Sequence, residues 1–311
     1  MILNCSYKKW GLIYWTWGYI IIEHTKPYPQ FIKNGGKNME EAKVLSKNIM
    51  FRNKDNIELF VQKDLVEDPK AIIVIVHGLA EHLGRYDYVV SKLNDWGYSV
   101  YRFDNQGHGK SEGKRTYIDS YKNFSQDVNE IVSMAKKENN NEKIFVLGHS
   151  MGGMISTVYG IDYKNTVDGI ILSAGVTIDK AKLLESNKDV DDDAEIPNAL
   201  GDLICTDKSV VDDYENDPLV CHVTAGKIYK ECYKAVKYIY DNMNKFEYPV
   251  YILHGEEDKI VSPEDSKILY EHISSLDKSL KLYPGLYHEI MNEFDKDKVL
   301  EDIHSWLEDR I

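Results

Sequence analysis

The sequence predicts an α/β protein with a mainly parallel central sheet flanked by helices and an inserted helical cap. Three observations carry that expectation. From Met39 onward, short apolar runs alternate with amphipathic stretches, the pattern of strands joined by crossover helices. One run, Ala71-Ile-Ile-Val-Ile-Val76, is continuous and β-branched, as expected of a strand buried on both faces. Another, Lys143 to Leu147, breaks into Gly148-His-Ser-Met-Gly-Gly153 and resumes as the apolar stretch Met154 to Tyr159. G-x-S-x-G at a strand-to-helix corner is a nucleophile elbow. Glycine is needed at 148 and 152 because a side chain there would block the approach of helix to strand, and the sharp turn leaves Ser150 strained and exposed.

Taken in order, residues 1–38 stand apart. Lys8-Lys9 precede an uncharged run, Trp10 to Ile22, too short to span a bilayer. A signal peptide would need a small-residue cleavage site after the run, and none follows. Gly35-Gly36 lie where codons over a ribosome-binding site would fall, so Met39 is the expected start of the enzyme and 1–38 an extension outside it. Within 39–175, the first part of the core, Ile57 to Gln62, Ala71 to Val76, Tyr98 to Phe103 and Val167 to Ser173 read as strands. Tyr86 to Trp96 and Tyr121 to Lys137 read as helices. The alternation stops over 176–247, the expected cap. There an acidic run, Asp189 to Glu195, lacks the glycine and terminal glutamate of a calcium loop and reads as solvated surface. Ile228, Tyr229, Cys232, Tyr233, Val236, Ile239, Tyr240 and Met243 share one side of a helix, either as a wall for an acyl chain or as packing against the core. The second part of the core, 248–311, resumes with strands at Pro249 to Leu253 and Leu280 to Tyr283, and Val299 to Ile311 forms the last helix.

Composition narrows the function classes. A chain of 311 residues with 43% apolar and 29% charged content can bury a large core. Its net charge of −13 argues against a nucleic-acid partner, which would demand a clustered basic face. Cys5, Cys205, Cys221 and Cys232 have neither metal-ligand spacing nor disulfide-scaffold density, so free thiols in a reducing cytoplasm are expected. No cofactor or metal is implied. His77 and His82 lack a third ligand.

A serine hydroxyl needs a histidine to take its proton and a carboxylate to orient that histidine. In an elbow fold both follow the serine, on loops after later strands. The last two strands run into His254-Gly-Glu-Glu-Asp258 and Pro284-Gly-Leu-Tyr-His288, making Asp258 and His288 the candidates; the Asp258-x-x-Val261 spacing favours Asp258 over Glu256 and Glu257. His272 and His304 fall in helices, His222 in the cap and His254 at a strand end. Oxyanion donors are expected at the Met151 and Leu79 amides. His77 and His149 are expected to order loops, and Asp104 to stabilise a turn.

Together, His77-Gly-Leu-Ala-Glu-His-Leu-Gly-Arg-Tyr86, Phe103 to Gly113, Gly148 to Gly153, His254 to Asp258 and Tyr287-His288-Glu289 resemble the monoacylglycerol lipase and lysophospholipase family of α/β-hydrolases, from about residue 50 onward. Asp217-Pro-Leu-Val-Cys221 is similar to the family's cap motif. The resemblance implies an α/β-hydrolase fold and a serine esterase acting on mono-acylated glycerol lipids, with Ser150, Asp258 and His288 as triad and Leu79 and Met151 as oxyanion donors. A lipid substrate allows for transient membrane-surface contact through the cap. The triad alone also permits a peptidase or amidase, for which the acidic run would supply an amine pocket, or a broad short-chain carboxylesterase.

Overall fold

The computed structural model describes the backbone of residues 13–16 and 19–22 and the whole of residues 44–139 and 142–311. Strands β1 (Ile13–Thr16) and β2 (Tyr19–Ile22) form a hairpin, and β2 pairs antiparallel with β3 (Leu45–Arg52), which pairs with β4 (Glu58–Leu65). Six parallel strands follow: β5 (Ala71–Val76), β6 (Tyr98–Phe103), β7 (Ile144–His149), β8 (Gly169–Ser173), β11 (Val250–Gly255) and β12 (Lys278–Tyr283). The order across the sheet is β1-β2-β3-β4-β6-β5-β7-β8-β11-β12. This is an α/β-hydrolase sheet, parallel except at the edge carrying β1 to β4.

Strand β5 shows why the apolar runs are continuous. Ile72, Val74 and Val76 point into the core shared with α2 (Tyr121–Glu138), α3 (Met151–Asp162) and α8 (Pro263–His272). Ala71, Ile73 and Ile75 point into the opposite core with α1 (Asp87–Asp95) and α9 (Lys296–Glu308). Each of the six side chains is buried, so no polar position is tolerated.

Between β8 and β11 lie α4 (Leu183–Asn187), β9 (Glu195–Pro197), α5 (Gly201–Ile204), α6 (Lys208–Asn216), β10 (Val223–Ala225) and α7 (Gly226–Asn242), with β9 and β10 paired antiparallel. The start of this segment is fastened by the buried Asp265 of α8, whose carboxylate accepts the backbone N–H groups of Thr177, Ile178, Asp179 and Lys180 at 2.8–3.0 Å. Most of the stripe on α7 belongs to the core built on α3, so its packing role is the one observed, with Tyr233 at the margin; Tyr240, expected on the same side, is exposed instead. The acidic run faces solvent, with Asp192 bonded to Lys227 and Lys230 and Asp193 to Lys114.

Strands β1, β2, β3, β9 and β10 escaped the sequence reading. Only Ile49 of β3 is fully buried, so its alternation is weak. The uncharged run of the extension supplies the β1–β2 hairpin, because Ile20, Ile21 and Ile22 favour extended backbone. That hairpin lengthens one edge and carries no inner strand. Cys5 and the rest of 1–38 lie outside the described residues.

A chain beginning at Met39 is expected to fold, to melt within about 4 °C of the full chain, the shift of roughly 1 kcal/mol, and to keep full activity. Thermal denaturation beside an activity assay checks this; loss of the folded state would make the hairpin integral to the enzyme.

Candidate active site

Ser150 sits between β7 and α3 at φ 55° and ψ −117°, a backbone conformation that side chains rarely adopt. The neighbouring glycines explain why it is held there. A Cβ on Gly152 would lie 2.0 Å from the Val76 carbonyl oxygen, and one on Gly148 would lie 2.3 Å from that of Gly152. Helix and sheet therefore touch backbone to backbone, and the serine side chain is turned outward over the ends of the parallel strands. Its amide donates to the Ser173 carbonyl at 3.0 Å, tying the turn to β8.

His288 and Asp258 come together from the loops after β12 and β11. The His288 Nδ1–H donates to Asp258 Oδ2 at 2.6 Å. The other oxygen, Oδ1, accepts the Ile260 and Val261 amides at 2.8 and 3.0 Å. Burial raises the pKa of the Asp258 carboxyl, but the facing His288 and His254 outweigh it and hold the group well below the usual carboxylate range. For His288, burial opposes the charge and the Asp258 carboxylate overcomes it, so the imidazole lies above its ordinary value. Glu256 and Glu257 are exposed.

His254, set aside on sequence as a strand-end residue, is a second partner of the acid. Its Nε2 is 3.1 Å from Asp258 Oδ2 and 3.0 Å from the Val261 carbonyl. Both neighbours are acceptors, so Nε2 carries the proton and Nδ1 accepts the Ser266 hydroxyl at 2.7 Å. The His254-x-x-x-Asp258 spacing was the available signal.

Ser150 and His288 line one cleft of about 300 Å³ with Gly78, Leu79, Glu81, His149, Leu200, Ile204, Tyr214, Ile260 and Glu289. The Leu79 amide on the loop after β5 and the Met151 amide at the first position of α3 donate to no group among the described residues. Two backbone donors beside the serine are thus unspent, one of them at the positive end of a helix. His77 orders the loop bearing Leu79: its Nδ1–H donates to the Gly78 carbonyl at 2.8 Å and its Nε2 accepts the Asn105 amide at 2.9 Å. Burial lowers its pKa to about 3. His149 packs 4.7 Å from the His288 ring and bonds Ser173 through Nδ1; burial, then His288, lowers its pKa to about 4. Asp104 caps turns by accepting the Leu83 and Lys110 amides. Asp217 bonds His82 at 2.8 Å and the Cys221 amide bonds the Ala80 carbonyl at 2.8 Å, so that motif fastens the segment between β8 and β11 to the Leu79 loop.

The sequence model of the family described as Serine aminopeptidase, S33, matches residues 67–295. The monoacylglycerol lipase of Mycolicibacterium smegmatis is 33% identical over 254 residues, covering 77% of this chain and 89% of that one. The monoglyceride lipase of Rattus norvegicus is 32% identical, covering 78% of this chain and 84% of that one. Among solved structures, the monoacylglycerol lipase of Paleococcus ferrophilus superposes with a TM-score of 0.73 at 28% identity, over 82% of this chain and all of that one.

The His288–Asp258 pair generates a titration test. The imidazole is expected to titrate above the ordinary histidine value of about 6.5 in the wild type and to fall in Asp258→Asn, where burial is no longer opposed by the carboxylate. NMR of the ring protons checks both; an unmoved pKa in the variant would dissolve the pairing.

Proposed function

The chain belongs to the monoacylglycerol lipase family of α/β-hydrolases, within the group described as Serine aminopeptidase, S33, and is an ester-hydrolysing enzyme; from that premise we propose that it cleaves monoacylglycerol- or lysophospholipid-type esters through an acyl-enzyme on Ser150. The observation that carries the reading is the convergence of a strained, outward-turned serine, two unspent backbone amides and a histidine held by a buried carboxylate on one cleft. In this mechanism neutral His288 takes the Ser150 proton as the hydroxyl attacks the ester carbonyl. Asp258 stabilises the imidazolium, and the Leu79 and Met151 amides donate hydrogen bonds to the oxyanion. His288 then protonates the leaving alcohol, and a water, activated by the same histidine, releases the acid.

Residues 176–247 act here as the cap. Leu200, Ile204 and Tyr214 supply its cleft wall, and one acyl chain gains about 0.8 kcal/mol for each CH₂ it buries. The acidic run faces solvent, and the two carboxylates at the cleft, Glu81 and Glu289, are both bonded to Arg85, so no free carboxylate among the described lining residues awaits a substrate amine. That favours ester over aminopeptidase chemistry. No helix among the described residues is long and apolar enough to cross a membrane. The free, buried thiols of Cys205, Cys221 and Cys232 support a cytoplasmic enzyme that meets lipid transiently through the cap.

Ser150→Ala is expected to lower kcat about a million-fold with the fold intact and to abolish labelling by a fluorophosphonate. Labelling that survives would place the nucleophile elsewhere. Monoacyl esters are expected to outrun triacylglycerols and amino-acid anilides in the same assay, and Ile204→Lys to weaken long-chain esters more than acetyl or butyryl esters. A wild type that prefers triacylglycerol, or an anilide, would defeat the substrate assignment.

A further inference from the structure

A chain of buried polar side chains outside the proposed triad joins the two loops that flank Ser150. Glu81 Oε1 accepts the Gly78 amide at 2.6 Å and the Tyr86 hydroxyl at 2.9 Å. Its other oxygen, Oε2, lies 3.2 Å from Arg85 Nη1. Arg85 continues across the cleft floor to Glu289, the residue after His288, with Nη1 donating to Oε1 and Nη2 to Oε2 at 2.8 Å. Asn292 Nδ2 donates to Glu289 Oε2 at 2.9 Å, and the Tyr214 ring lies 4.7 Å from the guanidinium. The three charged side chains are at least nine-tenths buried.

What these contacts hold is one peptide plane. The Gly78 carbonyl is fixed by the His77 Nδ1–H and the Gly78 amide by Glu81, so the residue is pinned at both ends. The peptide linking Gly78 to Leu79 is trans, so its N–H points opposite to its carbonyl. With the carbonyl turned toward His77, the Leu79 N–H is turned away from it. A Cβ on Gly78 would lie 3.1 Å from the Ser150 Cβ, so this plane passes directly against the serine.

We propose that Glu81, oriented by the Arg85–Glu289 pair, is the positioning residue that aims the Leu79 amide at the reacting carbonyl and ties that aim to the loop bearing His288. Glu81 itself touches no reacting atom. Its contribution is to fix a donor in advance, so that the oxyanion meets an amide already in place. Arg85 gives the carboxylate its orientation and, through Glu289, makes the donor loop and the base loop one body. The inference rests on the roles proposed above for Ser150, His288 and Leu79.

The experiment uses the full chain, p-nitrophenyl butyrate as substrate and a boronic acid as a tetrahedral mimic. Glu81→Leu removes the acceptor of the Gly78 amide and is expected to lower kcat by about a hundredfold, the scale of one lost oxyanion donor, with KM within about twofold. The boronic acid should weaken in proportion to kcat. Glu81→Gln keeps an acceptor oxygen, folds with the least disturbance and should recover at least tenfold over the leucine variant. Arg85→Met should lower kcat in the same sense, by less. Ser150→Ala is measured alongside: if it retains activity, the reading of the site falls. If it is inactive while Glu81→Leu keeps kcat within threefold of the parent, or loses through KM instead, or is no worse than Glu81→Gln, the positioning role is overturned.

Discussion

The contact on which the rest of the active region depends is backbone against backbone, where the first turn of α3 meets the ends of β5 and β7. With Val76 and Gly152 this close, no side chain fits at 152, and the chain can enter the helix only by passing through a positive φ at Ser150. A residue strained in this way persists only where its surroundings over-determine it. Two apolar cores on either side of the sheet supply that determination. The same approach that strains the serine also sets the first amide of α3 beside it, so the outward-turned hydroxyl and the unspent donor are products of a single close packing.

Burial around this point turns ordinary polar residues into fixed ones. Asp258 has donors at both oxygens: two backbone amides on one, two imidazole N–H groups on the other. A carboxylate so surrounded stays ionised despite burial, because every lost hydration contact has a directed replacement. Glu289 follows the same rule beside Arg85. Directed donors also meet the other buried carboxylates: Gly78, Tyr86 and Arg85 surround Glu81, and four successive amides surround Asp265. Breaking one partner of such a buried set costs about 3–5 kcal/mol, since the charge left behind has no water to turn to. These groups therefore act as rigid joints.

Much of this was legible in the chain. Continuous apolar runs identify strands buried on two faces, and Gly148 and Gly152 follow from a close approach that a short motif must encode; Asp258 and His288, which the structure pairs, stood out because each follows a legible strand. What stayed hidden depends on tertiary contact. The Arg85–Glu289 pair joins residues far apart in sequence, and neither has a local pattern that announces the other. Leu200, Ile204 and Tyr214 line the cleft from short elements with no sustained period. On α7 the apolar stripe was plain, yet its spacing was silent on whether it faced a ligand or a helix, and α3 proved to be the neighbour. Strand β3 was missed because a strand half-open to water needs few buried residues.

The segment between β8 and β11 is rooted at both ends: Asp265 grips its start, and near its end Lys164 and Ser274 bond the carbonyls of Lys245 and Asn244. Strands β8 and β11 nevertheless pair directly, Ile170 opposite Val250, as if nothing lay between them. About 75 residues separate Ser173 from Val250, yet loop-closure entropy rises only logarithmically, near 0.6 kcal/mol for each doubling of length. Relative to a minimal crossover of about a dozen residues, the detour adds less than about 2 kcal/mol to closing that pair of strands. Chain entropy thus sets almost no limit on how large this segment can be, and the roots alone decide whether the sheet closes beneath it.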